Sequence, residues 1–294
     1  MSQGVRVSAI VPAYNAARWL GAALDGFLSQ TFTAAEAVVV DDGSTDDTPT
    51  IAARYAAQYP DRVRVLRQEN QGLCGARNTA LAAARGEYFA LLDADDVWLP
   101  QHLQRSVAAL DADPALGLVH ANIERIDGDG RALHVPPRYW RDGDDAFARI
   151  FLREEHVSCP TAVFRRSIFD QVGPFDLAFN RLGCEDRDLW LRIALVAPVR
   201  YLPEVHALYR QHGGNMSANL QKMERARRLL IEKFGDTPRG APLKRRALAA
   251  LHAGSGDEHL NAGRRGSAVR AYLRAFVQAP SWRAAKAVVR GAVG

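Results

Sequence analysis

Short apolar runs alternate with amphipathic stretches along the first hundred residues of the chain. Four runs have the length and content of buried strands, namely residues 5–11, 36–40, 63–66 and 88–92. Between them, apolar residues at helical spacing predict helices at 16–29, at 48–59 and in an alanine-rich stretch that ends at 85. This alternation predicts an α/β fold with a mostly parallel, Rossmann-like sheet flanked by helices.

The alternation ends beyond residue 100. Residues 116–126 form a predicted strand that leads into an Asp-Gly-Asp-Gly turn, which is typical of a hairpin. Two short extended pieces are predicted at 199–202 and 206–210. From about Leu220 onward, Ala, Arg and Leu recur at helical spacing. We therefore expect a single α/β domain at 1–219, followed by a C-terminal helical region at 220–294.

An acidic cluster directly follows the fourth predicted strand. It consists of Asp93, Asp95 and Asp96. Open α/β sheets bind ligands at the carboxyl ends of their strands. Carboxylates this close repel one another unless a cation lies among them, and a hydrated divalent ion commonly fills that role. The alternative is that Asp95 and Asp96 only cap a helix that begins near Leu99.

The second predicted strand also ends in carboxylates. Asp41 and Asp42 could accept hydrogen bonds from a ribose diol or a base N–H, and Gly43 would let the backbone turn sharply beside that ligand. The alternative is an acidic turn that caps the next helix. Strand-end carboxylates are common, so this feature indicates a ligand only in combination with others.

A third candidate lies where the alanine-rich helix begins. Asn70, Gly72 and Arg77 could present backbone N–H groups and a guanidinium to a phosphate. The stretch matches neither a P-loop nor a dinucleotide-binding fingerprint. Its alternative interpretation is a tight helix start with a glycine for close packing.

Later in the chain, Glu185 and Asp186 begin a predicted helix, whose dipole favours ionised carboxylates. They are either a capping pair or the site of a general base. Arg210 and His212 follow an extended segment and could reach a diphosphate or a metal. Their alternative interpretation is a solvated basic turn.

Composition and charge narrow the class of protein. The 294 residues are 48% hydrophobic and 24% charged, as in ordinary globular proteins. Three widely spaced cysteines match neither a disulfide framework nor a zinc site, and no signal peptide or spanning apolar window occurs, so we expect a cytoplasmic protein.

The tail from Lys222 is markedly basic, which indicates an anionic membrane surface or nucleic acid as partner. Aromatic residues do not interleave with these basic stretches, so we do not expect nucleic-acid binding.

Taken in order, the motifs resemble those of a family 2 inverting glycosyltransferase of the GT-A fold. The resemblance covers about residues 5–217. It rests on six stretches in the family's order: Ser8 to Asn15, Val40 to Asp46, Asn70 to Asn78, Leu92 to Asp96, Gly183 to Trp190, and Tyr209 to His212.

The resemblance implies a role for each candidate residue. Residues 1–100 would bind a nucleotide-diphosphate-sugar, and residues 101–219 would form the acceptor and catalytic half. The donor site would include Pro12, Tyr14, Asp41, Asp42, Asn70, Gly72, Arg77, Asp93, Arg210 and His212. Asp95, together with Asp93, would hold Mn²⁺ or Mg²⁺. Asp186, with Glu185 beside it, would supply the base that deprotonates the acceptor.

The implied function is metal-dependent, inverting transfer of a sugar to a hydroxyl group, with a UDP-sugar as the first candidate donor. The acceptor would be a saccharide or a lipid-linked saccharide in cell-envelope, lipopolysaccharide or exopolysaccharide biosynthesis. The basic tail adds peripheral contact with the inner face of a membrane. Two alternatives stay open, a sugar-1-phosphate nucleotidyltransferase and a non-catalytic sugar-nucleotide-binding protein.

Overall fold

The computed structural model describes residues 4–136, 140, 145–154, 156–216 and 219–293. Its strands are β1 Val7–Ala13, β2 Ala35–Asp41, β3 Val63–Arg67, β4 Tyr88–Leu91, β5 Val97–Trp98, β6 Leu118–Ile126, β7 Val163–Arg165 and β8 Val199–Arg210. Its α-helices are α1 Leu20–Leu28, α2 Thr48–Gln58, α3 Gly72–Ala83, α4 His102–Ala112, α5 Ala146–Leu152, α6 Arg166–Val172, α7 Glu185–Val196, α8 Leu220–Phe234, α9 Lys244–Asn261, α10 Arg265–Gln278 and α11 Trp282–Val293.

All eight strands join one mixed sheet in the order β3-β2-β1-β4-β7-β6-β8-β5. The first four strands of the chain pair in parallel, while β7 runs antiparallel to both β4 and β6, and β5 runs antiparallel to β8. Strands β6 and β8 are parallel to each other. The predicted α/β fold with a mostly parallel sheet is therefore confirmed. Because β1, β2 and β4 are parallel neighbours, the residues that follow them meet at one edge of the sheet.

The core explains why the first strand is an uninterrupted apolar run. Val7, Ala9 and Val11 are fully buried in the same apolar cluster as Leu24 and Phe27 of α1. Helix α3 packs against β1 and β2 as well. A strand covered by helices on both faces needs apolar residues at successive positions. Each large apolar side chain buried here contributes about 1.5–3 kcal/mol.

Strand β5 was not predicted from the sequence, which offered a helix that begins near Leu99 only as the alternative interpretation of the acidic cluster. Trp98 is almost fully buried, and its indole N–H donates to the Pro160 carbonyl at 2.6 Å. This distant contact favours an extended backbone where the local pattern is ambiguous. Helix α4 begins only at His102, with Gln101 as its N-cap, so the acidic cluster does not cap it.

The two extended pieces predicted near the end of the sheet form one strand, β8. Their pairing with β6 shifts register around Asn122, between the partner pairs Ala121–Leu202 and Asn122–Val205. Pro203 has no N–H for the ladder, and its carbonyl instead accepts from the Asn122 side chain at 2.8 Å. The irregularity therefore bends β8 without ending it.

The chain divides into two compact units. The first contains residues 1–144, 157–181 and 185–218, and the second contains 145–156, 182–184 and 219–294. In the second unit α9 and α10 pack as a hairpin, in which Gly256 lies against the ring of Tyr272 and the Tyr272 hydroxyl donates to Asp257 at 2.7 Å. Helix α5 packs against α9 in this unit. No helix in the described ranges is long and apolar enough to cross a membrane.

Candidate active site

The acidic cluster forms a tight turn between β4 and β5. The Asp96 N–H donates to the Asp93 carbonyl at 3.1 Å. The side chains of Asp93 and Asp95 are about one quarter exposed, at 26% and 27%, whereas Asp96 is buried. Asp96 points inward and accepts the Arg210 N–H at 2.8 Å. Asp93 and Asp95 are thus the members of the cluster that a ligand can reach.

The charges in this turn are incompletely balanced. Burial and the charge of Asp93 raise the pKa of Asp95. Burial and both neighbouring carboxylates hold the pKa of Asp96 well above its usual range. In the described part of the chain no three or more His, Cys, Asp or Glu side chains form a metal-binding group. Mg²⁺ and Mn²⁺ can nevertheless be held by one or two carboxylates when phosphate oxygens complete the shell, and the crowded carboxylates fit such an ion.

The segment that follows β8 lies directly on this cluster. The Arg210 guanidinium is buried and donates to the carbonyl oxygens of Asp95, Asp127 and Gly128 at 2.8, 3.2 and 3.4 Å. His212 Nε2 lies 3.0 Å from the Asp95 carboxylate, while its Nδ1 accepts the Gly214 N–H at 3.1 Å. The His212 proton therefore belongs on Nε2, from which it is donated to Asp95.

Arg77 connects the acidic cluster to the start of α7. Its guanidinium donates to Asp93 at 2.6 Å and to Glu185 at 2.7 Å, and it also contacts the Cys159 sulfur at 3.3 Å. The side chain is 1% exposed. We expected this guanidinium to face a phosphate; in the structure it lies between two carboxylates, and a contact with a phosphate stays a prediction.

Glu185 and Asp186 begin α7, as predicted. Burial raises the pKa of Glu185 to about 7, against the opposing effect of the Arg77 guanidinium. Asp186 is only partly buried, and its Oδ1 accepts the Arg187 N–H at 2.6 Å. The backbone before them is unusual, because Cys184 has a φ of 63°, which non-glycine residues rarely adopt. Such strain is often found beside functional groups.

Strands β1 and β2 end side by side, with Ala13 paired to Asp41; Pro12 lies in β1, and Tyr14 directly follows that strand. Tyr14 is 53% exposed, whereas Pro12 and Asp41 are buried. Asp41 accepts the Ser44 N–H at 3.0 Å, and its other oxygen lies 3.3 Å from Arg67 Nε. Tyr14 is therefore the member of this group with the most surface to offer a ligand.

The three remaining candidates hold the start of α3. The Asp42 carboxylate accepts the N–H groups of Gln71 and Gly72 at 2.8 Å each, and the Asn70 side chain donates to the Asp42 carbonyl at 2.9 Å. Gly72 has a φ of 78°, which favours glycine. These contacts shape the loop, and direct contact with a donor stays a prediction.

Two residues of the site were not found from the sequence. The ring of Trp19 contacts the His212 imidazole with ring centroids 4.1 Å apart, and Cys159 contacts Arg77. The only signal for Trp19 was a large aromatic residue at the start of the helix that follows β1. Nothing local marked Cys159, which reaches the site from a 3₁₀ turn at Cys159–Thr161.

Comparisons with known proteins identify the family of the chain. The profile of a family described as glycosyl transferase family 2 matches residues 8–173. An uncharacterized glycosyltransferase of Nostoc is 34% identical over 72% of this chain and 66% of its own length. An uncharacterized protein of Mycobacterium tuberculosis is 35% identical over 70% of this chain and 59% of its own length. The chain thus spans less than two thirds of the length of these relatives.

Solved structures match most of the chain. A mannosyltransferase from Pyrobaculum calidifontis, in complex with GDP-Man and Mn²⁺, is 26% identical with a TM-score of 0.67, over 99% of this chain and 80% of that one. TarS of Staphylococcus aureus, in complex with UDP-GlcNAc, is 21% identical with a TM-score of 0.67, over 96% and 84%. These likenesses confirm the predicted GT-A fold with C-terminal helices.

Proposed function

This chain belongs to glycosyl transferase family 2, and from that premise we propose that it moves a sugar, with inversion, from a nucleotide-diphosphate-sugar to a hydroxyl group. The acceptor would be a saccharide or lipid-linked saccharide of cell-envelope, lipopolysaccharide or exopolysaccharide biosynthesis. A UDP-sugar is the first candidate donor.

The observation that carries the proposal is the convergence of three distant motifs on one acidic turn. Arg77 joins Asp93 to Glu185, directly beside Asp186. On the other side His212 donates to Asp95. One end of the arrangement thus offers carboxylates for a cation, which would in turn hold a diphosphate. The other end offers a carboxylate that can act as a base.

The chemistry we propose needs one base on the chain. Asp186 takes the proton of the acceptor hydroxyl as that oxygen attacks the anomeric carbon. The bond from the anomeric carbon to the diphosphate oxygen breaks in the same displacement, and its electrons leave with the nucleoside diphosphate. A single in-line displacement inverts the anomeric centre. Glu185 is held by Arg77, so Asp186 is the partner better placed for this role.

A divalent cation would assist at the other end. Asp95 and Asp93 would hold Mn²⁺ or Mg²⁺, which when bound neutralises charge on the departing diphosphate. The unbalanced charge of the acidic turn supports this assignment. Arg77, which donates to Asp93 at 2.6 Å, would hold that carboxylate in place beside the ion.

Metal-dependent binding of a nucleotide tests this proposal. We expect titration calorimetry to show that UDP or GDP binds in the presence of Mn²⁺, and that Asp95→Asn weakens that binding at least about tenfold, because the substitution removes a charged ligand. Titration with UDP, GDP and dTDP, each with and without Mn²⁺, would identify the preferred nucleobase and the metal requirement together.

Asp170→Asn is the matched control, because it makes the same chemical change at an exposed position of α6. It should bind like the wild type. Equal affinities in the wild type and Asp95→Asn would contradict the metal assignment, and absence of binding by all three nucleotides would contradict the proposed donor.

Contact with a membrane surface is the second part of the proposal. Residues 219–294 carry 16 Lys and Arg against 5 Asp and Glu, a net charge of +11, whereas residues 1–218 carry 22 against 28, a net charge of −6. On α10 the exposed side chains of Leu273, Phe276 and Val277 lie next to the exposed Arg274. Apolar and basic groups together suit an anionic lipid surface. A cytoplasmic location at the inner face of a membrane belongs to this proposal.

Cosedimentation with lipid vesicles measures this contact. We expect binding to vesicles that contain phosphatidylglycerol and little binding to phosphatidylcholine alone. The double variant Arg270→Glu and Arg274→Glu should bind at least about 30-fold more weakly, since each basic residue lost at such a surface costs about 1 kcal/mol and each added carboxylate is repelled. Arg54→Glu, an exposed change on α2, is the control. Equal binding to both kinds of vesicle would contradict an electrostatic contact.

A further inference from the structure

Trp19 lies at the edge of the candidate active site and contacts His212 there. It precedes α1, where the chain leaves the end of β1. Its ring lies on the His212 imidazole with centroids 4.1 Å apart and an interplanar angle of 31°. Nε2 of the same imidazole donates to the Asp95 carboxylate at 3.0 Å. His212 is thus held between an aromatic ring and a carboxylate.

The indole also holds the turn beneath His212. Trp19 Nε1 donates to the Gly128 carbonyl at 3.1 Å, and the Arg210 guanidinium reaches the same carbonyl. Arg18 lies over the indole at 5.3 Å and pairs with Asp129 at 2.8 Å. Trp19 therefore contacts the turn at Gly128, which also accepts from Arg210, and the segment that carries His212.

Local hydrogen bonds hold the backbone at His212, at a cost in conformational entropy. Gly213 and Gly214 follow it, and a Cβ added at Gly213 would meet no atom within 4 Å. Glycine loses the most conformational freedom when it is ordered. The His212 N–H donates to Asn215 Oδ1 at 2.6 Å, and the imidazole Nδ1 accepts the Gly214 N–H at 3.1 Å. The direction of the imidazole therefore depends on these local contacts together with the contact to Trp19.

We propose that Trp19 is a positioning residue that keeps His212 directed at Asp95 and so shapes the diphosphate end of the donor site. The expected effect on nucleotide binding rests on the proposed function, whereas the contact between Trp19 and His212 does not depend on it. Removing the ring should loosen residues 211–216 and weaken nucleotide binding by about 3- to 10-fold, the range expected for loss of one aromatic pair.

Two variants separate the ring contact with His212 from the hydrogen bond to Gly128. Trp19→Phe keeps an aromatic face and loses the N–H, whereas Trp19→Leu loses both but keeps apolar volume. Amide hydrogen exchange of the segment 211–216 is measured on the full chain without ligand, and binding of UDP or GDP with Mn²⁺ is measured by calorimetry. Thermal denaturation checks that each variant folds.

We expect faster exchange and weaker binding in Trp19→Leu, with Trp19→Phe close to the wild type. Arg18→Leu, which removes the guanidinium over the indole and leaves the contact between Trp19 and His212, should exchange like the wild type. Unchanged exchange in Trp19→Leu, or equally fast exchange in Trp19→Phe, overturns the inference. A wild type that binds no nucleotide overturns the proposed function instead, and the exchange comparison still decides the role of Trp19.

Discussion

Asp186→Asn should lower the rate of sugar transfer by about 10²- to 10⁴-fold, the usual contribution of a positioned general base. The amide has nearly the same shape and can still accept from the Arg187 N–H, but it cannot take a proton from the acceptor. Nucleotide binding should stay unchanged, because Asp186 is proposed to act on the acceptor. Turnover of donor and acceptor is measured by release of the nucleoside diphosphate, and binding by calorimetry.

Two comparisons make this result decisive. Asp170→Asn, on the exposed surface of α6, should transfer sugar at the wild-type rate. Wild-type turnover that disappears in Asp186→Asn would exclude the non-catalytic alternative raised by the sequence. Full activity in Asp186→Asn would mean that another group accepts the proton.

Arg77→Met should lower the free energy of unfolding by about 3–5 kcal/mol, because it leaves a buried carboxylate without its counter-charge. Glu185 is the residue most affected, since its carboxylate is buried and accepts from the Arg77 guanidinium at 2.7 Å. Urea unfolding followed by circular dichroism measures the change. Arg54→Met, on the exposed face of α2, should change stability by less than about 0.5 kcal/mol.

Protonation and a second substitution test the cause of that loss. Burial already raises the pKa of Glu185 to about 7 with Arg77 present, and removing Arg77 raises it further. The folded variant then binds a proton more tightly than the unfolded chain, so part of the lost stability should return as the pH falls from 8 to 6. Adding Glu185→Gln should also restore part of it. A loss that is independent of pH and of Glu185 would point to packing alone.

The first hundred residues were predictable because their signals are local. Strand β1 and helix α2 follow from the spacing of apolar residues within a few positions, and the acidic turn follows from its place after β4. Strand β5 was missed for the opposite reason. Two residues carry no periodicity, and the partner of Trp98 is Pro160, far along the chain.

The candidate site divides in the same way. The sequence identified which polar residues with possible chemistry lie at or beyond strand and helix ends, namely Asp93, Asp95, Asp186 and His212. It could not assign their partners, and Arg77 illustrates this, because a guanidinium near a helix start suits a phosphate and a carboxylate equally well. Asp42 likewise proved to be occupied by backbone N–H groups at the start of α3.

By itself, the sequence of this protein determined the α/β alternation, the order of the motifs and the residue types that can do chemistry. Only the tertiary structure decided that Arg77 pairs with Glu185, 108 positions away, that His212 meets Asp95 across 117, and that Trp19 reaches Gly128 across 109. Periodicity records which face of an element is buried, so it is local. Contacts between distant side chains depend on how the sheet orders its strands, which no short stretch of residues encodes.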